Sequence, residues 1–133
     1  MTTTSTNDPL ARLVVDDADV DRELLASALE DRVRLDLQRG AFSFLPGVRD
    51  RLSARALVAT ALLAQYALHL LDDRYVAGLA PRDLEERTGV HGGTLRPILK
   101  RLADRRLIRK DGEVYAVPGY ALEQVAREFE GKE

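Results

Sequence analysis

The feature that most constrains this chain is the stretch 51–71, RLSARALVATALLAQYALHLL. As one helix its 21 residues span about 31 Å. Leu52, Leu57, Val58, Leu62, Leu63, Tyr66, Leu68, Leu70 and Leu71 wrap most of its circumference. A helix that is apolar on all sides has to be buried on several sides at once. The rest of a 133-residue chain either wraps that helix or shares it with a second copy. Sharing is the expectation, in a two-fold homodimer, the commonest closed assembly. It places a dimerisation helix at 49–71, with Leu57, Leu62, Tyr66 and Leu70 on the seam. A membrane span is disfavoured, because 55–71 is short for a bilayer and contains Arg55, Gln65 and His69.

Length and composition narrow the chemistry. A chain of 133 residues fits one domain, or one domain with an appended helical element, and buries roughly two-thirds of its unfolded surface without staples. With no cysteine, thiol catalysis, disulfides, thiolate zinc sites and iron–sulfur clusters are excluded. His69 and His91 are too far apart in sequence to form a metal-ligand motif. No nucleophile elbow or phosphate-binding loop accompanies the serines and aspartates. The expectation is therefore no catalytic residue, no metal, no cofactor and no enzyme activity. The start, MTTTSTN, lacks the basic and apolar regions of a secretory signal, so residues 1–9 read as a disordered tail and the protein as cytoplasmic, with no membrane partner.

Between tail and long helix, the pattern changes twice. Asp19 or Asp21 can cap a helix running to about Leu29, with Leu24, Leu25, Ala28 and Leu29 on one face. Period-two alternation follows: Val33, Leu35 and Leu37, a turn at Arg39-Gly40, then Phe42 and Phe44. This predicts a short β-hairpin ended by Pro46-Gly47. Region 10–78 is thus a helical and hairpin unit carrying the long helix, and 119–133 is a C-terminal helix that presents Leu122, Val125 and Phe129 to the same seam.

The second half carries the functional signal. The formal net charge is −2, yet 81–110 holds nine basic and four acidic side chains. A basic stretch inside an acidic chain is the footprint of a local nucleic-acid surface. Pro81 suits the first turn of a helix, and Thr88-Gly89 is a tight stop. In HGGTLRPILKRLADRRLI, Leu95, Ile98, Leu99 and Leu102 form one apolar stripe, which leaves Gly93, Arg96, Pro97 and Lys100 facing outward. Leu107–Val117 then reads as two strands about an Asp111-Gly112 turn of type I′.

Helix, turn, helix, hairpin is the order in which 79–118 resembles the winged helix-turn-helix of prokaryotic transcriptional regulators, similar to the MarR, PadR, ArsR and IclR classes. The fold expected is α+β and mostly α, a winged helix-turn-helix with an N-terminal helix and β-hairpin extension and a long apolar helix. The resemblance implies a homodimeric regulator that reads duplex DNA with the second helix, and it leaves any small-molecule effector unassigned. Carried over by position, the DNA contacts fall on Gly92, Gly93, Thr94, Arg96, Pro97, Lys100 and Arg101, with Arg109 and Lys110 at the base of the wing. Gly92 and Gly93 let backbone amides approach a phosphate. Arg96 suits a guanine edge, and Lys100 suits a phosphate. Two features depart from the pattern. Pro97 requires its helix to begin near Gly93–Thr94 or to kink, and acidic Asp111 and Glu113 at the wing tip oppose minor-groove entry. These acidic groups favour the alternative, a winged-helix module for protein–protein assembly in chromosome-organising or polymerase-associated complexes.

Overall fold

A computed structural model of the chain describes residues 9–13 and 17–129. The class is α+β and mostly helical, with two small antiparallel hairpins. A single 3-10 turn, Pro9–Leu13, precedes α1 (Asp17–Leu29). The tail expected over 1–9 falls on residues that, up to position 8, lie outside those described. Since α1 opens at Asp17, the expected capping residues Asp19 and Asp21 lie inside the helix.

Strands β1 (Val33–Asp36) and β2 (Ala41–Phe44) pair antiparallel with Val33 opposite Phe44 and Asp36 opposite Ala41. Leu37 lies in the loop rather than on the strand, and is exposed. The loop is held from both ends. Asp36 Oδ1 accepts the N–H groups of Gln38 (3.1 Å) and Arg39 (3.2 Å), and the Tyr75 hydroxyl donates to the Leu37 carbonyl. A side chain that caps its own turn, together with a distant tyrosine that meets the same loop, fixes the hairpin in one register.

The long helix is not one helix. It divides into α2 (Val48–Arg51) and α3 (Ala54–Leu71), separated by an extended Leu52 and by Ser53. Ser53 Oγ accepts the Ala56 N–H at 3.1 Å, a serine N-cap that restarts the helix while Leu52 turns into the core. The capping signal was present in the sequence and the hydrophobic periodicity masked it.

α3 is the axis of the fold. Twelve of its residues are buried, among them Leu57, Leu62, Leu63 and Leu68 and the small Ala56, Ala59, Ala61 and Ala64 that let neighbours approach closely. It is the one helix among the described residues long and apolar enough to cross a membrane, and 67% of its apolar span is covered by the rest of the chain. Leu25 and Leu29 of α1, Phe42 of β2, and Leu122, Val125 and Phe129 near the C-terminus close around it. This corrects the expected dimer seam. Leu57, Leu62, Leu122, Val125 and Phe129 are each at most 6% exposed within a single chain, and Tyr66 and Leu70 are half-buried. The five buried side chains are committed to the core of one chain, which leaves only Tyr66 and Leu70 of the expected seam with surface to offer a partner.

The core also contains polar groups that periodicity does not anticipate. Arg32 is buried and donates from Nη1 to Thr60 Oγ1 at 3.0 Å, meeting the need of a buried polar group for a partner. Gln65 Nε2 donates to the Val76 carbonyl at 2.7 Å, and His69 Nδ1 donates to the Tyr75 carbonyl at 2.8 Å. These two bonds tie the connection after α3 back onto the helix, so His69 is a satisfied structural histidine.

Candidate nucleic-acid interface

The candidate interface is built by α4 (Pro81–Thr88), α5 (Gly92–Asp104), β3 (Arg109–Asp111) and β4 (Val114–Ala116). Pro81 occupies the first helical position, where its missing N–H is no loss, and Leu84 is fully buried. Gly89 ends α4 at φ 77°, a left-handed conformation that a β-carbon disfavours. Thr88 fastens the turn from inside. Its buried hydroxyl donates to the Leu84 carbonyl at 2.6 Å and accepts the Val90 N–H at 3.1 Å. Three residues, Gly89, Val90 and His91, therefore separate two helices in a fixed geometry.

On α5 the stripe Leu95, Ile98, Leu99 and Leu102 is buried, at most 8% exposed. Gly93, Thr94, Arg96, Pro97, Lys100 and Arg101 are exposed, and Gly92 is half-buried. The sequence-derived contact residues of the helix thus lie together on its outer side. Arg96 and Arg101 form no ion pair with any described residue; Lys100 Nζ stands 3.4 Å from Asp104, a solvated pair of little energetic weight.

Two expectations about this helix are corrected. α5 begins at Gly92, with His91 as its N-cap, so Pro97 sits in the second turn rather than the first. The proline deprives the Gly93 carbonyl of its helical donor, but Gly93 and Pro97 are both exposed and water can supply one. The α5 N-terminus is also less open to phosphate than two glycines imply. The Glu85 carboxylate reaches to 3.2 Å from where a Gly92 β-carbon would stand, placing negative charge where an anion would bind. Nothing lies within 4 Å of the same point on Gly93.

The second hairpin also differs by one residue from the form expected of a wing. Asp111 pairs with Val114, so the two-residue loop is Gly112-Glu113 rather than Asp111-Gly112. Gly112 has φ 66° and Glu113 does not share a positive φ, the pattern of a type II′ turn with glycine first. Arg109, Lys110, Asp111 and Glu113 are all exposed, and Lys110 Nζ lies 5.9 Å from the Tyr115 ring centre. Leu79 adds a bridge that the sequence did not reveal. Its N–H donates to the Tyr115 carbonyl at 2.9 Å and its carbonyl accepts the Tyr115 N–H at 2.8 Å, which places a third segment beside the hairpin ahead of α4.

Just past the α5 C-cap, Arg105, the chain turns through a left-handed Arg106 with φ 62°. Leu107 N–H donates to the Leu102 carbonyl at 3.0 Å and Arg106 N–H to the Ala103 carbonyl at 2.9 Å, the paired bonds of a Schellman motif. This termination directs Leu107 and Ile108 into the core and sets where β3 begins. Arg105 is drawn off the candidate surface by Glu128 of α6 (Leu122–Glu128), with contacts of 2.5 and 2.6 Å. The Arg105 guanidinium, through those hydrogen bonds, holds the Glu128 carboxyl below the usual carboxylate range.

Two braces from the N-terminal half reach this region, and no sequence motif announced either. The Arg87 guanidinium of α4 lies 4.9 Å from the centre of the Phe42 ring. Arg49 of α2 donates from Nε to the Thr88 carbonyl at 3.2 Å, with its guanidinium against Gly89. Among the described residues no group of three His, Cys, Asp or Glu stands close enough to hold a metal. Set against protein families, curated proteins and solved structures, the chain matches none.

Proposed function

We propose that 79–118 is a winged helix-turn-helix that binds duplex DNA, and that the protein is a transcriptional regulator. The observation that carries this reading is the division of α5. Its apolar stripe is buried, and Thr94, Arg96, Pro97, Lys100 and Arg101 lie together on the side left to solvent. A cationic helix face held by a rigid turn is what major-groove reading requires. The order long helix, bridging residue, helix, turn, helix, hairpin supports the winged form of the motif. Arg109 and Lys110 extend the positive surface onto β3.

The test begins with recovery of bound DNA from the genome to obtain an operator. Arg96→Ala is expected to cost about 1–3 kcal/mol of operator binding and to relax base preference at one position. Lys100→Ala is expected to weaken all sequences alike and to lower the salt slope by about 0.9 for each phosphate that the lysine no longer neutralises. Both side chains are exposed, so the thermal midpoint should move little. The reading fails where both folded variants bind operator as the parent does.

Two observations favour the second reading, a winged-helix assembly module that docks a protein. Glu85 shields the α5 N-terminus, and Asp111 and Glu113 stand exposed at the wing tip. Failure of the variants to hold a protein partner, with no DNA recovered from the parent, would assign the α5 surface to that reading.

A further inference from the structure

We infer that Arg49, which lies outside the helix-turn-helix, is a phosphate-contacting residue of the same interface, and that the cleft between α2 and the α4–α5 turn is the track for one DNA backbone. The inference rests on the duplex-DNA reading of α5 and extends that surface to a residue 30 positions upstream of the motif. The cleft has a volume of about 670 Å³, and Gly47, Arg49, His91 and Thr94 are among the residues on its walls. Thr94 belongs to the outer face of α5, so the cleft is continuous with the cationic row.

The geometry of Arg49 sets it apart from an ordinary surface arginine. A guanidinium carries five N–H donors. Nε is committed to the Thr88 carbonyl, and the terminal amino groups have no acceptor among the described residues. The side chain is exposed yet anchored, so it loses less conformational freedom than a free arginine when it takes up an anion. Gly89 completes the arrangement. A β-carbon there would collide with Arg49 Nη2, so the guanidinium occupies the space that any other residue would fill. Asp50 lines the same cleft and offsets part of the positive charge, which makes the anchored position of Arg49, rather than the net charge of α2, the basis of the site.

Phosphate contacts fix the register of a recognition helix in its groove, and residues flanking that helix supply them. A purely structural Arg49 would only cap the last carbonyls of α4, as basic residues do at helix ends. The two roles separate in Arg49→Gln, whose amide can still donate to the Thr88 carbonyl but carries no charge. The probe is a mixed-sequence duplex of about two helical turns, titrated over a range of salt concentrations. Arg49→Gln is expected to lower the salt slope by about 0.9 and to weaken binding about eightfold at 0.1 M salt, the counterion-release contribution of one neutralised phosphate. Arg49→Lys, which keeps the charge, should retain most of the slope. Arg127→Gln, on α6, is the control for net charge and should leave the slope unchanged.

A folded Arg49→Gln with the parent's slope overturns the inference and leaves the α5 reading standing. A slope change shared equally by Arg127→Gln also overturns it, since net charge alone then explains the effect. Should the parent fail to bind the duplex at all, the α5 reading and this inference fall together. Should Arg49→Gln unfold, Arg49→Lys decides: a folded lysine variant that loses the full slope increment overturns the proposal, and one that keeps it supports the charge contact.

Discussion

α3 and α5 are built from similar apolar residues and are used in opposite ways. α3 carries one full charge, Arg55, near its start and is buried along most of its length. α5 carries Arg96, Lys100, Arg101 and Asp104 and is buried along one stripe. A helix covered on all sides contributes stability and has no face left for recognition. A helix covered on one side uses its stripe to hold position and presents the rest. The contrast explains why the basic segment, and not the most apolar one, is the functional candidate. It also explains why an apolar helix does not by itself imply a second subunit: the chain's own elements are enough to cover most of α3.

The contrast breaks most sharply at Leu62, which has no exposed surface. As a core residue, Leu62→Ala should cost about 2–5 kcal/mol in urea unfolding and leave the association state of the parent unchanged. On a dimer seam, the same change would lower association. A parent that associates while the folded Leu62→Ala variant does not would restore the seam. Arg96→Ala, on the presented face of α5, should by comparison fall within about 0.5 kcal/mol of the parent's stability.

A smaller effect separates the two helix ends. α3 is capped by an extended Asp72, a conformation that any residue can adopt, whereas past the α5 C-cap the chain turns through the left-handed Arg106. Glycine is the residue for that conformation, so Arg106→Gly should raise stability by up to about 1 kcal/mol by relieving β-carbon strain. An unchanged or lower unfolding midpoint would mean that Arg106 makes compensating contacts.

The smallest expected effect lies at the pair that ties α5 to α6. Arg105 keeps the folded-state pKa of Glu128 below its unfolded value, so the carboxylate stabilises the fold above about pH 4.3. That contribution is lost as pH falls through the lower folded value. The side chains are 42% and 30% exposed, and solvent screening limits the pair to at most about 1 kcal/mol. Glu128→Gln should remove this part of the acid sensitivity and leave stability at neutral pH slightly reduced. An identical pH profile for parent and variant would show that the pair contributes nothing measurable.

Short-range order was legible in the sequence wherever one local pattern acted alone. The alternation of Val33, Leu35, Phe42 and Phe44 sufficed for the first hairpin, and the Leu95–Leu102 spacing sufficed for the buried side of α5. Where two local signals competed, the weaker-looking one won. Ser53 capped a new helix inside an apolar run, and the second hairpin closed on Gly112-Glu113 because the pairing of Asp111 with Val114 took precedence over the Asp-Gly signal.

The sequence by itself determined the class of the fold, the order of its elements and the outward row on α5, because helical and strand periodicities are properties of neighbouring residues. Only the tertiary structure decided which surfaces stayed free. Packing around α3 buried most of the expected seam, Glu85 came to lie against Gly92, and Arg49 reached the turn at Thr88 and Gly89 from 39 residues away. Such contacts depend on where chain segments meet in space, and no local spacing encodes that meeting.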